Sequence, residues 1–461
     1  MPDTFKDDAI DTEDAYALDA EVIEAIQTAV TNGARRDLLA QLTPLHAADI
    51  ADLLEQLKPA DLQAMIALWG ADFDPSVLPE VEEGVRDDLL AFLPDTVLSE
   101  AVKELETDDL VYVVEDLDAP EKAKILDALD DADRLAVLAS LQFPEDSAGR
   151  MMQRSFVMAP THWCVGDAID HMRASDGLPD QFYDVVVIDP RLRPVGTVSL
   201  SRIMAHARDV RLAGLMEEEF FTIPATQTRE DVGYAFAQYH LVSAPVVDED
   251  GRIVGIITID DAVEAMEEER HEDMMRLAGV AEDEELSDTI WETTRQRFPW
   301  LLVNLLTAVA ASVVISMFAD TIQAIVALAV LMPIVASMGG NGGTQSLTVA
   351  VRAIATRDIT TSNAWRIVWR ETVVGFLNGL AFAVIIGIVG VLWYGSPMLG
   401  VVLGIAMTGT MVVAGLAGIL IPLGLDRAGV DPALASGAFV TTVTDVVGFL
   451  TFLSLASAFL M

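Results

Sequence analysis

Residues 433–461 read ALASGAFVTTVTDVVGFLTFLSLASAFLM, a run with one charged residue, Asp445. A spanning helix needs about 20 mostly apolar residues, so this stretch is long enough to cross a bilayer. Asp445 is thirteenth in it. A carboxylate at mid-membrane costs about 2.5–3.5 kcal/mol on insertion scales, so the side chain is expected to face a cavity, water or a partner. A helix–helix hydrogen bond from a protonated acid is the plainer alternative. Thr441, Thr442 and Thr444 on the same stretch favour a wet path.

Working backwards, residues 300–319, 373–394 and 398–423 are apolar spans, and 321–351 is a further uncharged run. A five-helix membrane bundle is the simplest count. The segment Pro333-Ile-Val-Ala-Ser-Met-Gly-Gly-Asn-Gly-Gly-Thr-Gln345 carries a proline and four glycines. It predicts a broken helix, which survives at membrane depth only where it is buried or lines water. A flexible hinge at the membrane surface is the alternative; Asn341 and Gln345 argue for a polar, packed segment. Arg352, Arg357, Arg366 and Arg370 lie in the connection to the next span, whereas the turns around Asp320 and Gly395–Pro397 carry no basic residue. The positive-inside rule makes that connection cytoplasmic, with the N-terminal half inside and the C-terminus outside. One five-helix protomer leaves little room for a central path, so Asp445 is expected to meet its twin across the two-fold axis of a homodimer.

The chain of 461 residues combines 52% hydrophobic residues with a formal charge of −44. Residues 297–461 hold six Arg, no Lys and six acids, so residues 1–296 carry the whole net charge. That excludes a single water-soluble domain and also a plain membrane bundle. A nucleic-acid surface is disfavoured, because phosphate binding needs clustered Lys and Arg; such an acidic half suits cations. Cys164 is the single cysteine, which precludes an internal disulfide and fits a reducing compartment. The start, MPDTFKDDAIDTEDAY, lacks a basic n-region and an apolar core, and is not a signal peptide. The expected location is the cytoplasmic (inner) membrane, with the acidic half in the cytoplasm.

That half divides again. Residues 1–33 read as an acidic tail. Residues 34–149 read as an all-α superhelix, with Pro44, Pro59, Pro94 and Pro120 near helix starts, where a missing N–H costs nothing. No paired nucleophile and base, phosphate loop or Cys/His cluster occurs, so an enzyme is disfavoured; His46 reads as a surface or cap residue. Residues 150–260 change to a βαββα pattern that occurs twice. Asp189 and Asp248, and likewise Gly196 and Gly255, stand 59 residues apart, which implies two similar subdomains packed together. The pattern resembles a tandem CBS pair. By that resemblance, Thr258 and Asp261 of the second repeat match positions that bind an adenosine ribose, whereas the first repeat has Ser199 but Arg202 in place of the acid. ATP is thus expected in one half at most; a CBS pair that transmits motion without ligand is the alternative. Between Asp260 and Asp273 eight acids meet one Arg270. Val263, Met266, Met274, Met275 and Leu277 add an apolar component, so residues 261–296 read as an acidic helix and linker into the membrane domain, 297–461.

Taken in order, these features resemble the MgtE family of magnesium channels over nearly the full length. The residues that carry the resemblance are Ser147-Ala148-Gly149, the paired repeats, Glu272-Asp273, Arg276-Leu277-Ala278-Gly279, Gly340 to Gln345, Asp431-Pro432-Ala433-Leu434 and Thr442 to Gly448. The resemblance implies a homodimeric, Mg²⁺-selective channel that cytoplasmic Mg²⁺ closes through a linking "plug" helix. Asp445 would hold hydrated Mg²⁺ in the pore, with Asn341, Gly340, Thr441 and Thr444 beside it. Asp261, Glu264, Glu269, Glu272 and Asp273 would sense Mg²⁺, with Glu230 and Asp108 as further candidates. Two departures are His240, where some members have an acid, and Gly437, where some have Asn. Mg²⁺ holds its waters tightly and usually binds one or two carboxylates plus water, which fits paired Asp445 side chains. Competing readings are a gradient-coupled divalent cation transporter, and a membrane sensor of Mg²⁺ or adenine nucleotide; an acid inside an apolar span argues against the sensor. Expected ligands are Mg²⁺, as cargo and regulator, and ATP. Expected partners are membrane lipid and a second copy, and no nucleic acid.

Overall fold

A computed structural model describes residues 18, 20–115, 117, 119–175, 178–179, 181–216, 220–281, 284, 289–360, 362–434 and 437–461. The first seventeen residues of the expected tail, and most of the linker between 282 and 288, lie outside the described residues. The chain divides into two units, residues 1–267 and 268–461.

The first unit opens with helices α1 (Ala20–Asn32), α2 (Arg35–Leu42), α3 (Ala47–Glu55) and α4 (Pro59–Trp69), and after several short helices reaches α5 (Thr107–Glu115). Folding begins earlier than residue 34. Val22, Ile23, Ile26, Ala29 and Val30 recur at spacings of three and four, which gives α1 one apolar face. Ile26 and Ala29 are buried in the same core as α2, α3 and α4. Residues 20–32 therefore belong to the helical domain and not to an acidic tail. Leu53, Leu54, Met65 and Ile66 are fully shielded there, each contributing about 1.5–3 kcal/mol of apolar burial. His46 caps α3: Nδ1 accepts from the Ala48 N–H at 3.3 Å, and Asp49 accepts from the His46 N–H. Pro59 opens α4 at its first turn.

The repeat follows. Strands β1 (Met158–Pro160), β2 (Asp184–Ile188) and β3 (Pro194–Ser199) form one sheet, with helices α6 (Val165–Ala174) and α7 (Leu200–Ala205). Strands β4 (Ile223–Pro224), β5 (Ser243–Val247) and β6 (Ile253–Thr258) form the second, with helices α8 (Arg229–Tyr239) and α9 (Ile259–Ala278). In each sheet the first pair is parallel and the second antiparallel, and the register slips at Val187/Ile188 and at Val246/Val247. Asp189 Oδ1 accepts the N–H groups of Arg191 and Arg193; Asp248 Oδ1 accepts those of Asp250 and Arg252. The matching acids thus close matching turns.

The second unit contains α10 (Ile290–Ser316), a short helix Ala319–Ala324, α11 (Ala327–Ala355), α12 (Ala364–Tyr394), α13 (Pro397–Arg427) and α14 (Gly437–Leu460). Helix α10 starts at Ile290, ahead of the expected boundary at 297, under a capping box between Thr289 and Glu292. Among the described residues four helices, α10, α12, α13 and α14, are long and apolar enough to cross a membrane. Helix α11 matches them in length, but its glycines and polar residues lower its hydropathy. Helix α13 is central and packs on α11, α12 and α14.

Two sequence expectations are corrected here. Helix α11 runs unbroken through Pro333 and Gly339–Gly343. The glycines serve close packing: a Cβ on Gly339 would stand 2.5 Å from Thr410 Cγ2, and one on Gly343 would stand 2.6 Å from Val440 Cγ1. Small residues let helices in lipid approach closely, and an unsatisfied backbone costs several kcal/mol there. Tertiary contact outweighs local propensity. Secondly, Asp445 is the ninth of the 24 residues of α14, because a 3₁₀ turn takes Pro432–Leu434 and the helix starts at Gly437. The acid lies about two turns inside the helix start and not at its middle.

Candidate functional site

Within the second unit, α11 and α14 run antiparallel in contact. Gly340 meets Thr441, Gly343 meets Val440, and Gly437 lies beside the Thr344 hydroxyl. Extending this register puts Asp445 level with Ala336 and Ser337. Asp445 is half-buried and has no hydrogen bond or ion pair within its protomer among the described residues. On α11, Ser337, Asn341, Thr344, Gln345 and Thr348 are all exposed and recur at spacings of three and four, which lines them up on one face. Gly339, Gly340, Gly343, Ser346, Leu347 and Ala350 form the buried face. Hydrocarbon would solvate neither this polar face nor the unpaired carboxylate.

The threonines divide by role. Thr441, Thr442 and Thr444 donate to carbonyl oxygens of their own helix, at Ala438, Ala438 and Thr441. Thr444 is fully buried against Gly339, so it fixes the helix crossing instead of presenting a hydroxyl beside Asp445. Asn341 is exposed and Gly340 buried. Ser337, Thr344 and Thr348 were not singled out from sequence. Their helical spacing is the available signal, and it shows only when the helix is continuous through the glycines.

In the first unit, burial draws acids together. Asp108 on α5 is 8% exposed and its Oδ1 has no hydrogen-bond partner. Burial, reinforced by the charges of Asp261, Asp109 and Glu106, pushes its carboxyl well above the usual range. Asp261, at the start of α9, is pushed up to about 7 by burial, with Asp260 and Asp109 adding repulsion and the Thr258 hydroxyl opposing. Asp109 is raised to about 6, again by burial first and then by Glu80 and Asp260. Thr258 donates both its hydroxyl, at 2.8 Å, and its N–H to Asp261 Oδ2. At the equivalent place in the first repeat, Arg202 donates to the Leu215 carbonyl, so no acid stands there. Glu230 is exposed in the first turn of α8, and His240 closes that helix in the left-handed conformation.

Helix α9 is shared between the units: Glu264 lies on its first-unit part, and Glu269, Glu272 and Asp273 on its second-unit part. In the second unit Arg276 bridges Asp431 at 2.6 Å and Glu272 at 2.9 Å, while Asp431 Oδ1 accepts the Ala433 N–H. Leu277 packs with Leu347, Val351 and Val440. Asp273 is raised, by burial first and then by Asp431, against the pull of Arg276. Among the described residues no three His, Cys, Asp or Glu side chains come together as a ready metal cage. What the geometry offers is paired carboxylates that repel one another and would be relieved by a proton or a cation.

Three family models match the chain: a divalent cation transporter domain over residues 332–455, the MgtE intracellular N domain over 45–146, and a CBS domain over 207–268. The magnesium transporter MgtE of Thermus thermophilus is 30% identical over 449 residues, covering 95% of this chain and 98% of that protein. The magnesium transporter MgtE of Bacillus subtilis is 28% identical over 440 residues, with the same coverage. The crystal structure of the cytosolic domain of the Mg²⁺ channel MgtE in complex with ATP superposes with a TM-score of 0.50 at 27% identity, covering 52% of this chain and 99% of that one. A relative that is 30% identical across 95% of this chain leaves one conclusion: the chain is a member of the MgtE family.

Proposed function

We propose that the protein is a Mg²⁺-selective channel that admits magnesium across the cytoplasmic membrane and is closed by Mg²⁺ bound to its acidic cytoplasmic domain. The observation that carries this reading is Asp445, an unpaired carboxylate in an otherwise uncharged helix beside the exposed polar face of α11. Two copies related by a two-fold axis would bring two Asp445 carboxylates around one hydrated ion, consistent with the preference of Mg²⁺ for few carboxylates and retained water. On this reading α11 is the fifth membrane helix, buried in the dimer on its polar side, with the N-terminus inside and the C-terminus outside.

Closure follows from the carboxylates of α5 and α9. Without Mg²⁺, Asp108, Asp109, Asp260 and Asp261 repel one another, and burial weakens the screening that salt gives exposed charges. Cations that bridge them favour the compact arrangement, and they can do so only by binding it better than the open one. The second repeat, with Thr258 and Asp261, is the half that would take ATP; the solved cytosolic domain of the relative is a complex with ATP. The deciding experiment reconstitutes the full chain in liposomes and measures Mg²⁺ entry while cytoplasmic-side Mg²⁺ is varied. Entry is expected without any Na⁺ or proton gradient and is expected to shut as that Mg²⁺ rises. Strict dependence on a counter-ion gradient would establish the carrier instead, and binding without flux the sensor; ATP titration of the same preparation reads the nucleotide site.

The Arg276–Asp431 pair gives this gate a measurable joint. Both side chains are partly shielded, at 21% and 31% exposure, so their bond should lie at the top of the surface-pair range, at about 1 kcal/mol. Arg276→Ala is therefore expected to raise the Mg²⁺ concentration for half-closure about fivefold, a factor worth about 1 kcal/mol. An unchanged closing concentration removes Arg276 from the gate.

A further inference from the structure

The first two turns of α12 carry Trp365, Arg366, Trp369 and Arg370. Spacing of four residues places the tryptophans on one stripe and the arginines on the adjacent one. Trp365 is 77% exposed and Trp369 63%; both arginines are also exposed. No carboxylate lies within ion-pair distance of Arg366 or Arg370 among the described residues. Nearby acids are engaged elsewhere: Asp358 accepts from the Thr356 hydroxyl and Glu371 from the Ser346 hydroxyl, at 2.8 and 3.0 Å. Arg352, in the last turn of α11, is exposed and unpaired as well. In a chain of net charge −44, this junction has an excess of positive charge. Tryptophan settles at the boundary between hydrocarbon and headgroups, and guanidinium groups match phosphate geometry through paired N–H donors.

We infer that Trp365, Arg366, Trp369 and Arg370 form a site for the headgroup of an anionic phospholipid in the leaflet that α12 enters. A soluble phosphate would leave two large indoles facing water, whereas a lipid covers them with its glycerol and upper acyl region while its phosphate meets the arginines. The inference rests on the membrane topology proposed above, but its readout is lipid preference and not Mg²⁺ flux, so either can fail alone. Anionic headgroups gain about fivefold for each basic residue near the surface.

The test uses the full chain in nanodiscs that contain phosphatidylglycerol or phosphatidylcholine with brominated acyl chains. Quenching of Trp365 and Trp369 is isolated by subtracting the Trp365→Phe/Trp369→Phe variant. Wild type is expected to prefer phosphatidylglycerol about 25-fold, the product of two charges. Arg366→Gln/Arg370→Gln should bring that preference close to one, and Arg366→Lys/Arg370→Lys should retain most of it, which guards against a folding defect in the neutral pair. Inorganic phosphate at millimolar concentration should not compete. Equal quenching by both lipids, an unchanged preference in the glutamine variant, or displacement by inorganic phosphate would each overturn the site.

Discussion

Asp445→Ala and Asp445→Asn are both expected to lower Mg²⁺ flux in liposomes by about two orders of magnitude. A hydrated divalent ion about 5 Å from the two carboxylates, both of which each variant removes, is attracted by about 3 kcal/mol in total at the dielectric of water, about 80. That is a factor of about a hundred in occupancy. Asparagine keeps the shape of the side chain and removes only the charge, so a shared loss in both variants isolates electrostatics. The charge is costly in lipid, by about 2.5–3.5 kcal/mol at mid-helix and less near the helix start where Asp445 lies. The asparagine protein should therefore melt no earlier than wild type, and somewhat later. Lower flux together with equal or greater stability is the signature of a residue kept for conduction. Wild-type flux in Asp445→Asn would take the pore away from this residue.

The domain plan was readable because local patterns carry it. The 59-residue repeat predicted matching turns, and Asp189 and Asp248 make the same pair of backbone hydrogen bonds. It did not predict that Ser243 would donate to Asp184 at 2.6 Å, although these two positions are also 59 residues apart. That bond joins the repeats to each other, and a period in sequence reports similarity, not contact. The same limit applies to the acids. The charge run that starts at Asp260 was evident, yet its partner Asp108 comes from a helix far back in the chain, and only the folded unit brings burial and like charge together there.

In the membrane half local propensity misleads, because packing between helices outweighs it. Proline and glycine predict interruption when water competes for backbone groups. In α11 the glycines instead seat Thr410, Thr444 and Val440, and the continuous helix then presents its polar residues on one face. Asp445 itself was legible from composition alone; its depth was not, because the 3₁₀ turn at Pro432–Leu434 cannot be separated from an apolar helix by hydropathy.

Asp108→Asn and, separately, Asp261→Asn should raise the thermal stability of the Mg²⁺-free chain at pH 7.5 and reduce the stabilisation that Mg²⁺ gives. Both carboxyls titrate above the 3.8 of an ordinary Asp, and Asp261 reaches about 7. The folded state therefore binds more protons than the unfolded state between about pH 4 and 7, so stability falls as pH rises through that window. The contribution is fully present below about pH 4 and lost above the folded-state value. A shift of this size corresponds to about 2–4 kcal/mol for Asp261, at 1.36 kcal/mol for each pH unit, with the lower figure preferred because the site is not fully dry. At pH 7.5 a cation can replace the missing proton: Mg²⁺ at a hundred times its dissociation constant adds about 2.7 kcal/mol. Asparagine has no proton to lose and no charge to offer, so each variant should start higher at pH 7.5, change less between pH 7.5 and 5, and respond less to Mg²⁺. Thermal unfolding of the full chain in detergent, at both pH values with and without Mg²⁺, reads all three. A variant that melts earlier than wild type without Mg²⁺, or that keeps the full Mg²⁺ response, would mean these carboxylates hold the fold by hydrogen bonding and do not sense the ion.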